Sequence, residues 1–191
     1  LLGACSATNG SSSNSSGSDN VRFGVSGPIT GPSAEYGTYW REGFDLALQE
    51  INADGGINGV PLELVWEDSQ SDPKQSVPIA QKFVADKTIV AELGDFSSPA
   101  SMAASATYQQ AGMVQFGFTN SAAGFTQGGD HMWSSILTQA YYQTKAAELV
   151  KQHSDKVSVV YLQSDWGKSS FDAFKQEAER IGLDIAYESA I

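Results

Sequence analysis

From residue 21 onward the sequence predicts an α/β fold on a doubly wound parallel sheet. Short runs rich in β-branched and aromatic residues alternate with longer runs of helical periodicity, which is the mark of βαβ units. Two of the helical runs open on one cap grammar, Asp72-Pro73 and Ser98-Pro99, with a capping side chain followed by a ring that suits the first helical turn. Glycines close the first helical run at Asp54-Gly55-Gly56, where a helix end commonly needs the left-handed conformation.

Taken in order, VRFGV (21–25) reads as the first strand. A helix is predicted over 37–53, because Trp40, Phe44, Leu48 and Ile51 recur at helical spacing and give a core-facing stripe. LELVW (62–66) is the second strand, and a helix capped by Asp72 follows to about residue 86. IVAEL (89–93) is the third strand, followed by a helix capped by Ser98 and reaching residue 110; MVQFGF (113–118) is the fourth strand. An irregular stretch separates these from a helix over 140–153, a strand VSVVYL (157–162), a helix over 168–181 and a strand beginning near Leu183. One such edge strand does not complete a sheet, so the second set of elements is expected to be unfinished.

The first twenty residues differ in kind. Leu2-Gly3-Ala4-Cys5 contains the only cysteine and resembles a bacterial lipobox, in which a cysteine behind small residues is lipid-modified after cleavage. The residues that follow, 6–20, are almost all Ser, Asn and Gly, a composition that forms flexible tethers. The expectation is an extracytoplasmic protein held to a bacterial membrane by lipid at Cys5. With 11 basic against 22 acidic residues and a net charge of -11, nucleic acid and anionic lipid surfaces are excluded as partners. No apolar run approaches the length of a membrane-spanning helix.

No catalytic or cofactor motif in the sequence is complete. Gly24-Val25-Ser26-Gly27-Pro28 has proline where a nucleophile elbow requires glycine, so it reads as a strand-to-loop junction. Gly167-Lys168-Ser169 lacks the first glycine of a phosphate loop, that place being Leu162. His131 and His153 stand far apart without metal-ligand spacing and read as surface residues, and Glu67 and Asp68 read as solvated loop carboxylates. A non-enzymatic protein without cofactor or metal is expected.

The loops after the strands are more informative, since open α/β folds bind ligands at the carboxyl ends of their strands. These loops are GPITGPSAEYG (27–37), GDFSSPAS (94–101) and FTNSAAG (118–124). Ser98 opens a helix whose free N–H groups suit an anion, and a carboxylate there would gain about 1.5–3 kcal/mol per charge-assisted hydrogen bond. Together with INADGGINGVPLELVWED (51–68), DPKQSV (72–77), FTQGG (125–129) and SDWGKSSFDAF (164–174), these stretches resemble, in order and spacing, the branched-chain amino-acid-binding type of periplasmic solute-binding protein. The likeness spans residues 21–191.

That resemblance implies a two-lobe class I periplasmic-binding-protein fold. Residues 21–136 would form the first α/β lobe, and residues 137–191 the hinge crossover and the beginning of the second. It implies capture of an amino acid, or of an amide- or urea-like solute, for the permease subunits of an ABC importer; a sensing receptor of the same fold is the alternative. It assigns Ser97, Ser98, Thr119 and Ser121 to the ligand carboxylate, Tyr36 to an aromatic wall of the first lobe, and Trp166 to the place of a ligand-facing tyrosine of the second. Pro99-Ala100 departs from the family pattern and removes one hydroxyl, while residues that hold an amino group come later in that family's chain.

Overall fold

The computed structural model describes residues 20–191, so Cys5 and residues 6–19 of the Ser/Gly/Asn-rich segment assigned above lie outside the described residues. The elements are β1 (Val21–Gly27), α1 (Ala34–Ala53), β2 (Leu62–Asp68), α2 (Pro73–Ala85), β3 (Ile89–Leu93), α3 (Ser98–Ala111), β4 (Val114–Gly117), α4 (Ala123–Thr126), β5 (Met132–Ser134), α5 (Gln139–Lys151), β6 (Lys156–Tyr161), α6 (Asp165–Ile181) and β7 (Asp184–Ala190). The first five strands form one parallel sheet in the order β2-β1-β3-β4-β5, and β6 pairs in parallel with β7 in a second sheet. The strand order reverses at β1. The crevice between the carboxyl ends of β1 and β3 is therefore the topological switch point, where open α/β sheets place ligands.

Strand alternation sorts the side chains into two layers. On one face α2 and α3 bury Ile79, Ala80, Phe83, Ala104 and Tyr108 against Ile89, Phe125 and Met132. Gly24 of β1 lies under Phe83 so closely that a Cβ would stand 2.7 Å from the ring. On the other face α1 sets Trp40 on Phe118 and Phe44 on Trp66 and Phe118, with centroids 4.4–5.6 Å apart. The predicted stripe of α1 is real but only half-buried at Trp40, Phe44 and Leu48, and Ile51 is exposed. One helix cannot roof five strands, so Val114 and Trp133 remain open to solvent, Trp133 at 58% exposure. Around β6 and β7, the α5–α6 pair buries Ala147, Phe174, Ala178 and Leu183, and Tyr161 stacks on Phe171 at 4.4 Å.

Several boundaries differ from expectation, each for a physical reason. Helices α1 and α6 begin three residues earlier than predicted, at Ala34 and Asp165. In both, a glycine in the opening turns looks like a breaker, yet its role is close approach. A Cβ at Gly37 would stand 2.1 Å from the Pro28 carbonyl oxygen, and one at Gly167 2.1 Å from that of Leu162. The cap of α3 is Ser97, whose Oγ accepts from the Ala100 N–H at 3.4 Å, and not Ser98, which is the first helical residue. Pro99 fits either register because the first N–H groups of a helix lack helical acceptors anyway. The irregular stretch contains α4 and β5; a three-residue strand such as Met132–Ser134 exists because β4 offers it an edge, which no local pattern announces.

Two side-chain assignments also change. His131 is half-buried, with Nδ1 3.2 Å from Oε1 of Gln109, whereas His153 is exposed as expected. Asp68 is not a merely solvated carboxylate. Its Oδ1 accepts from the N–H groups of Ile29, Thr30 and Gln70 at 3.0–3.1 Å and its Oδ2 from the Thr30 hydroxyl, pinning the β1–α1 loop to the end of β2.

Candidate functional site

A cleft of about 510 Å³ opens at the carboxyl ends of β3, β4 and β6. Phe96, Ser97, Ser98 and Pro99 line it from the β3–α3 loop, Thr119 and Ser121 from the β4–α4 loop, and Leu162, Ser164 and Trp166 from the β6–α6 loop and the start of α6. Two helices begin at its walls. Ser97 caps the 14-residue α3, and Ser164 caps the 17-residue α6 by accepting from the Gly167 N–H at 3.1 Å. Both positive helix ends therefore meet the cleft, and the side chains lining it are all uncharged, so a bound anion would be met by neutral donors and helix dipoles.

The hydroxyls divide by what their single protons already do. Ser97 Oγ donates to the Ser71 carbonyl at 3.3 Å. Thr119 Oγ1 donates to the Phe96 carbonyl at 2.9 Å, with the Asp95 carbonyl at 3.2 Å. These two protons hold loops together. Ser98 Oγ, in contrast, only accepts, from the Ala122 N–H at 3.3 Å. Ser121 Oγ accepts twice, from Trp166 Nε1 and from Gln139 Nε2, each at 2.9 Å. Ser98 and Ser121 are 3% and 6% exposed, and among the described residues neither proton has an acceptor. The cleft thus presents two buried hydroxyl donors, their oxygens already anchored.

Apolar surface faces them. Phe96 is held by Tyr36, stacked at 4.4 Å, and by Trp40 at 6.1 Å, while Pro99, Leu162 and Trp166 complete the wall. The cleft is amphipathic, a polar floor under an aromatic and aliphatic roof. Among the described residues no cluster of His, Cys, Asp and Glu could hold a metal ion, and no helix is long and apolar enough to cross a membrane.

The sequence profile described as "periplasmic binding protein" matches residues 20–191, all of the chain that the structure describes. The chain belongs to the periplasmic binding protein family. It is 31% identical over 177 residues to the Leu/Ile/Val-binding protein homolog 1 of Brucella melitensis, which covers 88% of this chain and 46% of that protein. It is 30% identical over 190 residues to the leucine-, isoleucine-, valine-, threonine- and alanine-binding protein of Pseudomonas aeruginosa, covering 97% of this chain and 50% of that protein. An ABC transporter substrate-binding protein from Desulfitobacterium hafniense in complex with Leu superposes with a TM-score of 0.79 at 26% identity, covering 90% of this chain and 51% of that one. The chain spans about half the length of the relatives it matches.

In this periplasmic binding protein the structure brings together five of the six residues that the resemblance assigned to the ligand: Ser97, Ser98, Thr119, Ser121 and Trp166 line one cleft. Tyr36 does not line it. It is 49% exposed and stands behind Phe96, which forms the wall in its place. Trp166 lines the cleft, but its indole N–H is engaged with Ser121, so it offers the cleft its ring. Sequence reasoning missed Phe96, Gln139 and Ser164. Phe96 and Ser164 carried a legible signal, an aromatic inside the serine-rich loop and a serine directly ahead of a helix whose first turn holds Asp165. Gln139 carried none, because its role depends on α5 starting beside Ser121: its N–H also donates to the Ser121 carbonyl at 2.8 Å.

Proposed function

We propose that this chain is part of an extracytoplasmic receptor that captures a small carboxylate-bearing solute, of the branched-chain amino-acid type, and delivers it to the permease of an ABC importer. The observation that carries the reading is the pair of uncommitted hydroxyl protons at Ser98 and Ser121 in one buried, uncharged cleft bounded by the starts of α3 and α6. A carboxylate has two oxygens and takes one donor at each. Each charge-assisted bond contributes about 1.5–3 kcal/mol and each helix end about 0.3–1. The apolar remainder of the solute lies against Phe96, Pro99, Leu162 and Trp166. The Leu/Ile/Val-binding names of its relatives support this class, and a neutral amide or urea would present only a carbonyl to the same donors. Lipid at Cys5 would keep the receptor beside its importer.

A thermal-shift screen of leucine, isoleucine, valine, their amides and urea against the full-length protein tests the assignment. Branched-chain amino acids are expected to raise Tm and the amides and urea to leave it unchanged. Ser98→Ala is expected to weaken the tightest solute about 10- to 100-fold in calorimetry. Affinity unchanged in that variant would refute the site. Mass spectrometry of the membrane-extracted protein tests the anchor, and an unmodified cysteine would remove it.

A further inference from the structure

Behind the β3–α3 loop, at the switch point between β1 and β3, lie two carboxyl groups that solute contact does not use. Glu92 of β3 is fully buried; its Oε1 accepts from Ser26 Oγ at 2.6 Å, and its Oε2 has no partner among the described residues. Asp95 is 1% exposed but well supplied. Its Oδ1 accepts from Ser71 Oγ at 3.0 Å and from the Phe96 N–H at 2.5 Å, its Oδ2 from Ser76 Oγ at 3.3 Å, and the Ser69 hydroxyl also bonds the group. A buried carboxylate persists only where donors replace its water. By that count Asp95 is built to be an anion and Glu92 to be a neutral acid.

The surroundings agree. The groups that face the pair from β1, the β2–α2 loop, α2 and β4 are Ser26, Ser69, Ser71, Ser76 and Gln115, all neutral, and the titratable neighbour on α3 is Tyr108, 1% exposed. No basic side chain among the described residues bonds either carboxyl. Burial lifts Glu92 to about 8, partly opposed by the Ser26 bond and reinforced by the charge on Asp95. Burial also raises Asp95, against the pull of its Ser69, Ser71, Phe96 and Ser76 bonds.

The pair is coupled to the cleft through the backbone. Gly94 lies between the two residues, and a Cβ there would stand 2.8 Å from Glu92 Oε1 and 2.1 Å from the Ser26 carbonyl, so the loop backbone packs directly on the Glu92 carboxyl. Asp95 then carries the loop onward: its N–H donates to Ser101 Oγ at 2.7 Å, and the Thr119 hydroxyl bridges its carbonyl and that of Phe96.

We propose that Glu92 and Asp95 are positioning residues that together hold one proton, Glu92 neutral and Asp95 ionised, and that loss of that proton displaces the 94–98 loop and weakens solute binding. The last clause rests on the solute-binding reading above; the first two do not.

Carboxyl-carbon NMR of the full-length protein without solute, titrated from about pH 5 to about pH 9.5, is expected to keep Glu92 protonated through neutrality, with the Phe96 and Ser98 amides shifting as it titrates. The wild-type protein suffices for this measurement. Glu92→Gln, which keeps shape and neutrality, is expected to abolish the amide shifts and to leave both amides at their low-pH positions. Glu92 titrating in the ordinary carboxylate range, or loop amides indifferent to its titration, overturns the proposal. In calorimetry with leucine, wild-type affinity is expected to fall between about pH 6.5 and about pH 9 by fivefold or more beyond the fall in Glu92→Gln, which also corrects for titration of leucine itself. Equal falls overturn the coupling. Absence of leucine binding at the lower pH counts against the solute reading, and the titration still decides the proton pair.

Discussion

Trp166→Phe tests whether the cleft is assembled across its two walls or merely lined by them. The substitution deletes the indole N–H that donates to Ser121 Oγ at 2.9 Å and keeps an aromatic ring against the cleft. Between a half-buried Trp166 and a Ser121 that is 6% exposed, such a neutral bond is worth about 0.5–1.5 kcal/mol net. If that bond aims the Ser121 proton, its loss appears in affinity as roughly a 2- to 12-fold weakening. Ser121→Ala alone removes the donor to the carboxylate and should cost about 1.5–3 kcal/mol. In the Ser121→Ala background the indole N–H has already lost its acceptor, so adding Trp166→Phe should cost little more. The expected coupling between the two changes is therefore about 0.5–1.5 kcal/mol, read by calorimetry on the tightest solute of the screen. Additivity within about 0.3–0.5 kcal/mol would refute the idea that Trp166 acts through Ser121.

Gly167→Ala would place a Cβ 2.1 Å from the Leu162 carbonyl oxygen. The gain of about 1 kcal/mol in helix propensity does not offset overpacking of about 1–3 kcal/mol, so Tm and solute affinity are expected to fall together as Trp166 shifts. Asp68→Ala strips four acceptor contacts from the β1–α1 loop and is expected to cost about 1–2 kcal/mol in denaturant melts. Desolvation raises the Asp68 pKa, but the bonds from Thr30, Gln70 and Ile29 outweigh it and hold it below 3.8. Its contribution is therefore complete above that value and lost as pH falls below it. Glu92 acts in the opposite sense. Its folded pKa of about 8 lies above its ordinary 4.5, so the native state keeps a proton that the unfolded chain releases between those values. Stability should fall across that window at up to about 1.4 kcal/mol per pH unit, and Glu92→Gln should flatten the decline in thermal unfolding.

The large elements were legible because local and tertiary demands coincide in them. Val21 to Val25, Leu62 to Trp66 and Ile89 to Leu93 are strands by composition and by pairing, and Asp72 caps α2 through the Lys74 N–H at 2.9 Å as its neighbour Pro73 foretold. What remained hidden was set by contact between distant segments. Gly37 and Gly167 look like interruptions until the carbonyls of Pro28 and Leu162 are seen against them, and β5 is a strand only through the edge of β4. The site followed the same division. Its serines were visible as loop composition, but which protons were free depended on Ser71, Phe96, Gln139 and Trp166, whose proximity only folding creates.

Five hydroxyls line the cleft, and the distinction among Ser97, Ser98, Thr119 and Ser121 shows how a serine-rich floor could select among ligands. A hydroxyl with no fixed partner rotates to suit either a donor or an acceptor, and discriminates little between a carboxylate and an ammonium. Ser121 has both lone pairs occupied by N–H donors, so it can offer a ligand only a proton, and Ser98 has one lone pair so occupied. Ser97 and Thr119 give their protons to backbone carbonyls and so stiffen the loops that carry Ser98 and Ser121. An ammonium brought to this floor would meet no carboxylate and, at Ser121, no free lone pair, and a poorly paired buried charge costs far more than a missing hydrogen bond. On the function proposed above, a zwitterionic solute would therefore lie with its carboxylate toward β3 and β4, before any group that holds its amine is considered.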